Sequence, residues 1–343
     1  MEAHAARRAV VTEPGRVEIQ PAEVPAPGPG QVVIRMRMVG ICGSDVHAFH
    51  ARHPFVSLPY SPGHEIFGVV EAVGPDVTGV TANARVVVEP ILSCGDCKYC
   101  RDGRYNLCTT MSFFGCTTAD GGLADYLVVP ADRVVAVPDE VSDLAAVLVE
   151  PLSTPVHAVR LAGPDLTGRT VAILGAGTIG LLTLVAARHA GAARIAVSDL
   201  APGKRELARA LGADSVHDAA SASMVQDIRD DLGTSADIVF DCVAVQSSVD
   251  QAIAIALKGG TVMIVGVPAA PVTVPLPEIQ DLQVRVQGSA TYTRDDIENA
   301  VALLAAGAVD PERIITARYP LAEIDEAFAA ACSGRHVKVV VTA

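Results

Sequence analysis

Eleven residues constrain the fold of this chain most: TVAILGAGTIG, Thr170 to Gly180. Thr170–Gly175 reads as a buried strand, and an apolar helix follows through Leu181–Ala190. Between them Gly175, Gly177 and Gly180 form G-x-G-x-x-G, with Thr178 and Ile179 filling the last gap. The first glycine permits a tight turn, the second lets backbone approach a pyrophosphate, and the third lets helix and strand pack closely. The helix start then offers unpaired N–H groups to phosphates. A glycine-rich turn with no ligand would look the same in isolation. The context argues otherwise, because the next strand, Arg194–Leu200, brings Asp199 nineteen residues past Gly180. A carboxylate there can accept bonds from both ribose hydroxyls of NAD and repel a 2′-phosphate. Lys204 either flanks the same adenosine pocket or is a solvated lysine at a helix start.

The uncharged run Thr170–Ala187 approaches the length of a membrane span, but its glycines fit a strand–turn–helix better. Further strand and helix patterns alternate from about Leu152 onward, through KRELARALGA, IVFDCV, Thr261–Gly266 and the strand VRVQGS (Val284–Ser289). Such alternation predicts a parallel sheet covered on both faces. The first half reads differently, as β-branched segments cut by Gly and Pro: Val32–Gly40, Phe67–Gly74 and Ala84–Pro90. After Tyr292 come two helices, Asp295–Ala306 and Glu323–Ala331, and a final strand, VKVVVT. The expected fold class is α/β: a β-rich domain over residues 1–151, a doubly wound domain over 152–291, and a tail, 292–343, that returns to the first. A length of 343 residues suits two domains. A net charge of −13 argues against nucleic acid or an anionic membrane as partner. Met1–Val10 shows no signal-peptide pattern, so a soluble, cytoplasmic protein is expected.

Two sets of residues have metal-ligand character. Cys94, Cys97, Cys100 and Cys108 follow C-x2-C-x2-C-x7-C, and four thiolates on one short loop suit a closed tetrahedral zinc site. A redox or disulfide loop is the alternative. The second set is dispersed: Cys42, Ser44 and His47 in GICGSDVH, His64 and Glu65 in PGHEIFG, and Glu150 in VLVEPL. Together they offer a thiolate, an imidazole and two carboxylates, enough for a catalytic zinc with an open position. Such an ion would act as a Lewis acid on an alcohol oxygen, hydride would pass to the nicotinamide, and Ser44 could hand a proton towards His47.

These motifs resemble those of the zinc-dependent medium-chain dehydrogenase/reductase family along essentially the whole chain. The family's signature G-H-E-x2-G-x5-G-x2-V is met by Gly63, His64, Glu65, Gly68, Gly74 and Val77, and its structural zinc lobe by the four clustered cysteines. The resemblance implies a GroES-like first domain, Cys42 and His64 as catalytic zinc ligands, and Ser44 and His47 as a proton relay. Glu150 stands where many alcohol dehydrogenases of the family have a cysteine, as in the sorbitol, butanediol and threonine dehydrogenase branch. A carboxylate is harder than a thiolate and leaves a stronger Lewis acid. Glu150 is therefore expected as the standing ligand, with Glu65 exchangeable, holding water, or simply ion-paired.

The expected function is oxidation of a polyol, vicinal diol or similar secondary alcohol with NAD and two zinc ions per chain. A threonine-type amino alcohol, or a catalytically silent zinc- and NAD-binding protein, are the alternatives. Cys116, Cys242 and Cys332 show no ligand spacing and read as small buried hydrophobes, and His157 as a packed histidine. His50, Arg52 and His53 lie on a loop that faces either substrate or solvent. Tyr292 and Arg294 reach a pocket or form a hinge. The resemblance also implies a homo-oligomer, dimer or tetramer, pairing through edge strands near Val272–Leu276.

Overall fold

The computed structural model describes residues 6–118 and 120–343. The chain divides into two compact units, Met1–Glu150 with Thr293–Ala343, and Pro151–Tyr292.

The first unit is organised around the strand Gln31–Ile41, whose Val32, Val33, Ile34, Met36, Val39 and Ile41 are all buried. Apolar residues on both faces of one strand require cover on both sides, and this strand lies inside its sheet. It pairs with Glu65–Val73, with Tyr126–Pro130 and with the C-terminal strand Lys338–Thr342, all antiparallel. Arg85–Val88 and Val134–Ala136 extend the sheet on one side, and Ile315–Pro320 on the other. Near its end the register sets Gly40 opposite both Glu65 and Val340, and Ile41 opposite Val339.

The short helix Gly43–Phe49 follows directly. Phe49 at its end stacks on Phe328 of the helix Ile324–Cys332, with ring centroids 4.8 Å apart. Both rings are buried, which contributes about 1.5–3 kcal/mol each and anchors the polar start of the short helix.

The second unit contains a six-stranded parallel sheet. Its spatial order is Ser215–Asp218, Arg194–Asp199, Thr170–Leu174, Ala236–Asp241, Ala256–Ile264 and Arg285–Gly288. In sequence order this is 3-2-1-4-5-6, the doubly wound arrangement that changes direction beside the first strand. All five residues of Thr170–Leu174 are buried, as a central parallel strand with helices on both faces requires.

The following helix begins at Thr178, three residues before the apolar run suggests, because the amide of Leu181 already bonds back to the carbonyl of Gly177. Its first turn is therefore built from the glycine loop itself. Val272–Pro275 forms no strand, and the sheet edge is Arg285–Gly288. Two prolines in Ala270–Pro275 deny that segment the amide donors of a ladder. Among the described residues no helix is long and apolar enough to cross a membrane.

Candidate active site and metal centres

Cys42 is the N-cap of the helix Gly43–Phe49, and its amide donates to Asp45 Oδ2 at 2.9 Å. Glu65 opens the neighbouring strand, and His64 immediately precedes it. One ligand atom each from Cys42, His64 and Glu65 lie within 4.8 Å of one another. That spread suits three corners of a tetrahedral zinc site with a fourth left open.

The surroundings fit an ion too. His64 is buried, and its Nδ1 faces Asp45 Oδ1 at 3.7 Å. This oxygen has no hydrogen-bond partner among the described residues, although it is fully buried. Burial is the largest influence and opposes charge on the imidazole, but Asp45, Cys116 and Cys42 together outweigh it and hold the His64 pKa well above its usual value. Asp45 thus faces the Nδ1 edge of the ring, the side from which a carboxylate orients a metal-binding histidine. On the other side Ser44 Oγ lies 3.4 Å from Nε2.

Glu65 is buried and needs space and compensation. A Cβ on Gly40 would lie 1.8 Å from Glu65 Oε2, so only glycine leaves a seat for the carboxylate. Compensation comes from Lys338, whose Nζ lies 2.5 and 2.7 Å from the two carboxylate oxygens and 3.2 Å from the Ile41 carbonyl. Burial works against the ammonium, yet Glu65 and other nearby acids raise its pKa above the ordinary lysine value.

Of the two glutamates, Glu65 lies in the ligand group and Glu150 does not. Glu150 is buried in the first turn of the helix Val149–Ala162, a rigid element, whereas Glu65 is set by strand register beside His64. His47 lies three residues beyond Ser44 on the same helix and is exposed. Cys116 corrects the sequence reading: it is only half-buried, and its Sγ sits 3.7 Å from His64 Nδ1. Nothing in its spacing signals this, because a separate loop delivers it.

Asp45 and Lys338 also escaped the sequence reading. Asp45 stands inside the same motif as Cys42 and Ser44, and Lys338 is the lone charge in VKVVVT; both are legible signals in hindsight. The Arg294 guanidinium pairs with buried Glu89 at 2.8 Å and donates to the Val134 carbonyl at 2.9 Å. Tyr292 is buried. His157 is buried, with Arg160 Nη2 3.0 Å from its Nδ1.

A cavity of about 270 Å³ opens beside Cys116. It is lined by Phe55, Ser57, Pro59, Tyr60, Cys116, Thr117 and Thr118. Tyr60 also donates to the Asp45 carbonyl at 3.3 Å, which joins this wall to the helix bearing Ser44.

The four clustered cysteines come together separately, with ligand atoms within 4.8 Å. Cys97 and Cys100 sulfurs are 3.5 Å apart, and Cys94 and Cys100 sulfurs 3.8 Å. Four sulfurs about 2.3 Å from one zinc ion in a tetrahedron would be roughly 3.8 Å apart. A disulfide needs about 2.05 Å, and all four are free thiols. Backbone amides, that of Cys100 foremost, bring the Cys97 thiol down to about 6, favouring the thiolate a metal requires.

In the second unit Gly175 adopts φ +93°, and a Cβ on Gly180 would lie 1.7 Å from the Gly175 carbonyl oxygen. A Cβ on Gly177 would meet nothing within 4 Å, which leaves the helix start open for a pyrophosphate. Asp199 accepts from the Ala176 amide at 2.7 Å through Oδ2 and from Ala201 at 2.8 Å through Oδ1. It therefore also fixes the loop. Lys204 is in the first turn of Pro202–Ala210, but its neighbour Arg205 holds the carbonyls of Asp199 and Leu200, at 2.8 and 2.9 Å.

Comparisons with known proteins agree with this geometry. Residues 28–139 match the alcohol dehydrogenase GroES-like domain, and residues 178–306 match the zinc-binding dehydrogenase domain. L-idonate 5-dehydrogenase of Vitis vinifera is 36% identical over 339 residues, 94% of this chain and 91% of that protein. Sorbitol dehydrogenase of Arabidopsis thaliana is 36% identical over 337 residues, 94% and 92% respectively. Among solved structures, a proposed zinc-binding dehydrogenase of Sinorhizobium meliloti 1021 bound to NADP superposes with a TM-score of 0.93 at 33% identity, covering 99% of both chains.

Proposed function

Because the chain belongs to the zinc-dependent medium-chain dehydrogenase/reductase family, we propose that it oxidises a polyol, vicinal diol or similarly hydroxylated metabolite at a secondary carbon. It is an NAD-linked zinc dehydrogenase of secondary alcohols. When bound, zinc supplies a Lewis acid for the alcohol oxygen, and NAD supplies the hydride acceptor.

Cys42, His64 and Glu65 hold the ion in this reading, and Glu150 stands outside that set. Asp45 and Cys116 face the Nδ1 edge of His64, which leaves Nε2 for the ion. Ser44, beside Nε2, takes the proton of the substrate hydroxyl and hands it towards exposed His47 and water. Cys94, Cys97, Cys100 and Cys108 hold a structural zinc that braces their loop. The backbone of Gly175–Gly180 cradles the pyrophosphate and Asp199 receives the ribose hydroxyls. That last contact favours NAD over NADP, although the Sinorhizobium meliloti neighbour carries NADP.

The observation that supports a hydroxyl-bearing substrate is the cavity beside Cys116, lined in part by Ser57, Thr117 and Thr118, with Cys116 itself against His64. A further part of the proposal is a cytoplasmic homo-oligomer. Its support is a set of exposed apolar residues by the sheet edge of the second unit: Val267, Val274, Leu276 and Val286.

The test is NADH formation by zinc-loaded protein across sugar alcohols, vicinal diols, simple secondary alcohols and threonine. Turnover on the polyols or diols is expected, with Cys42→Ala abolishing it while NAD still binds. Turnover on threonine alone, or none at all with zinc and NAD bound, overturns the substrate class.

A further inference from the structure

We propose that Arg205 is a positioning residue for the adenosine ribose of the cofactor. It fixes the chain after the strand Arg194–Asp199, so that the Asp199 carboxylate is presented to the sugar in one orientation. The proposal rests on the reading of Asp199 as the acceptor of the ribose hydroxyls.

Asp199 is the last residue of its strand, and Leu200 beyond it is 69% exposed. A carboxylate at an exposed turn discriminates between ligands only if its direction is held. Two amides do this: Ala176 donates to Oδ2 at 2.7 Å and Ala201 to Oδ1 at 2.8 Å. An ionised carboxylate has about four lone-pair sites, so roughly one on each oxygen is left for the two hydroxyls of a ribose.

Arg205 acts on the second of those amides. From the helix Pro202–Ala210 its Nη1 donates to the Asp199 carbonyl at 2.8 Å and to the Leu200 carbonyl at 2.9 Å. The Leu200 carbonyl and the Ala201 amide belong to the same peptide unit, which is planar. Arg205 therefore holds one end of the plate whose other end holds the carboxylate, and a rotation of that plate would break both bonds.

The guanidinium is itself steadied. Its Nη2 lies 3.6 Å from Asp218 Oδ2, and only 18% of the Arg205 side chain is exposed. Register supplies this partner, since Asp218 pairs with Asp199 on the neighbouring strand. Asp218 Oδ1 accepts in turn from the Ala220 amide at 2.9 Å. The positive charge also offsets the repulsion of two acids set side by side. A tie of helix to strand would by itself explain a bond to one carbonyl. It does not explain a grip on the one peptide that orients the ribose acceptor.

The experiment measures the Kd of NADH by fluorescence titration for wild type, Arg205→Met and Arg205→Lys, each with and without Asp199→Ala. Arg205→Met should raise Kd about 10-fold, the worth of one hydrogen bond. In the Asp199→Ala background, with no carboxylate to present, it should change Kd by less than about twofold. Arg205→Lys, which keeps the charge and its donors, should recover most of the affinity. Equal losses in the two backgrounds, or no loss beside Asp199, overturn the inference and leave Arg205 a structural tie. Should Arg205→Met not fold, Asp218→Asn is read by the same criteria, with an expected loss of about 2–5-fold. A Kd that Asp199→Ala itself does not move would instead remove the ribose reading, and the role of Arg205 with it.

Discussion

Gly40→Ala adds a single methyl group, and its cost follows from the geometry. The new Cβ would sit 1.8 Å from Glu65 Oε2, 2.9 Å from its Cδ and 3.1 Å from its Cβ. The carboxylate must move by more than an ångström, yet Lys338 holds both of its oxygens. If the sheet yields, the penalty is that of overpacking, about 1–3 kcal/mol. If the ion pair yields, it approaches the cost of breaking a buried pair, about 3–5 kcal/mol. An intermediate loss of roughly 2–4 kcal/mol is expected, lowering the melting temperature by about 5–15 °C for a unit of this size.

Urea unfolding of metal-free protein measures the loss directly. The decisive comparison repeats the substitution in a Glu65→Ala/Lys338→Met background, where the seat is empty and both charges are gone. There Gly40→Ala should cost much less, since of the three close contacts only that with the Cβ at position 65, at 3.1 Å, remains. Equal costs in the two backgrounds, within about 0.5 kcal/mol, would refute the reasoning, because the methyl would then be clashing with something other than the carboxylate.

Three more outcomes follow. Asp199→Ala should lower the ratio of NAD to NADP use and weaken NAD binding, since the Ala176 amide also loses its acceptor; an unchanged ratio in steady-state kinetics removes Asp199 from the ribose site. Cys97→Ser should reduce thermal stability and zinc content from two ions towards one, while the surviving enzyme keeps its kcat; a kinetic defect at normal stability would reverse the structural role of the lobe. Asp237 accepts from the Thr170 amide and hydroxyl and from Arg169, and despite the opposing effect of burial these hold its pKa below the usual carboxylate value. Its stabilisation is complete above the unfolded pKa and is lost as pH falls through the folded one. Asp237→Asn should therefore flatten the acid decline in stability below about pH 5, and a parallel decline in both proteins would show that the bonds carry no linkage.

Much of this was legible in the chain because the informative patterns are local. The glycine loop needs only six consecutive residues to declare a strand–turn–helix, and Asp199 follows at the distance that one helix and one strand impose. Four cysteines within fifteen residues need no tertiary help to meet. The chemistry of the dispersed set was visible as well, since Cys42, His64 and Glu65 are ligand types in glycine-rich surroundings.

What sequence distance cannot encode is register, and the centre depends on it. Strand pairing sets Glu65 opposite Gly40 and beside His64, while Glu150 lies in the first turn of a helix. Lys338 lies 273 positions from Glu65 yet touches it, because the last strand of the chain lines up beside the strand ending at Ile41. Cys116 reaches His64 from a loop whose spacing announces nothing. Motif chemistry and the identity of each element thus reside in short stretches of sequence. The seating of Glu65 and its pairing with Lys338 arise only when distant strands align and bury those charges together.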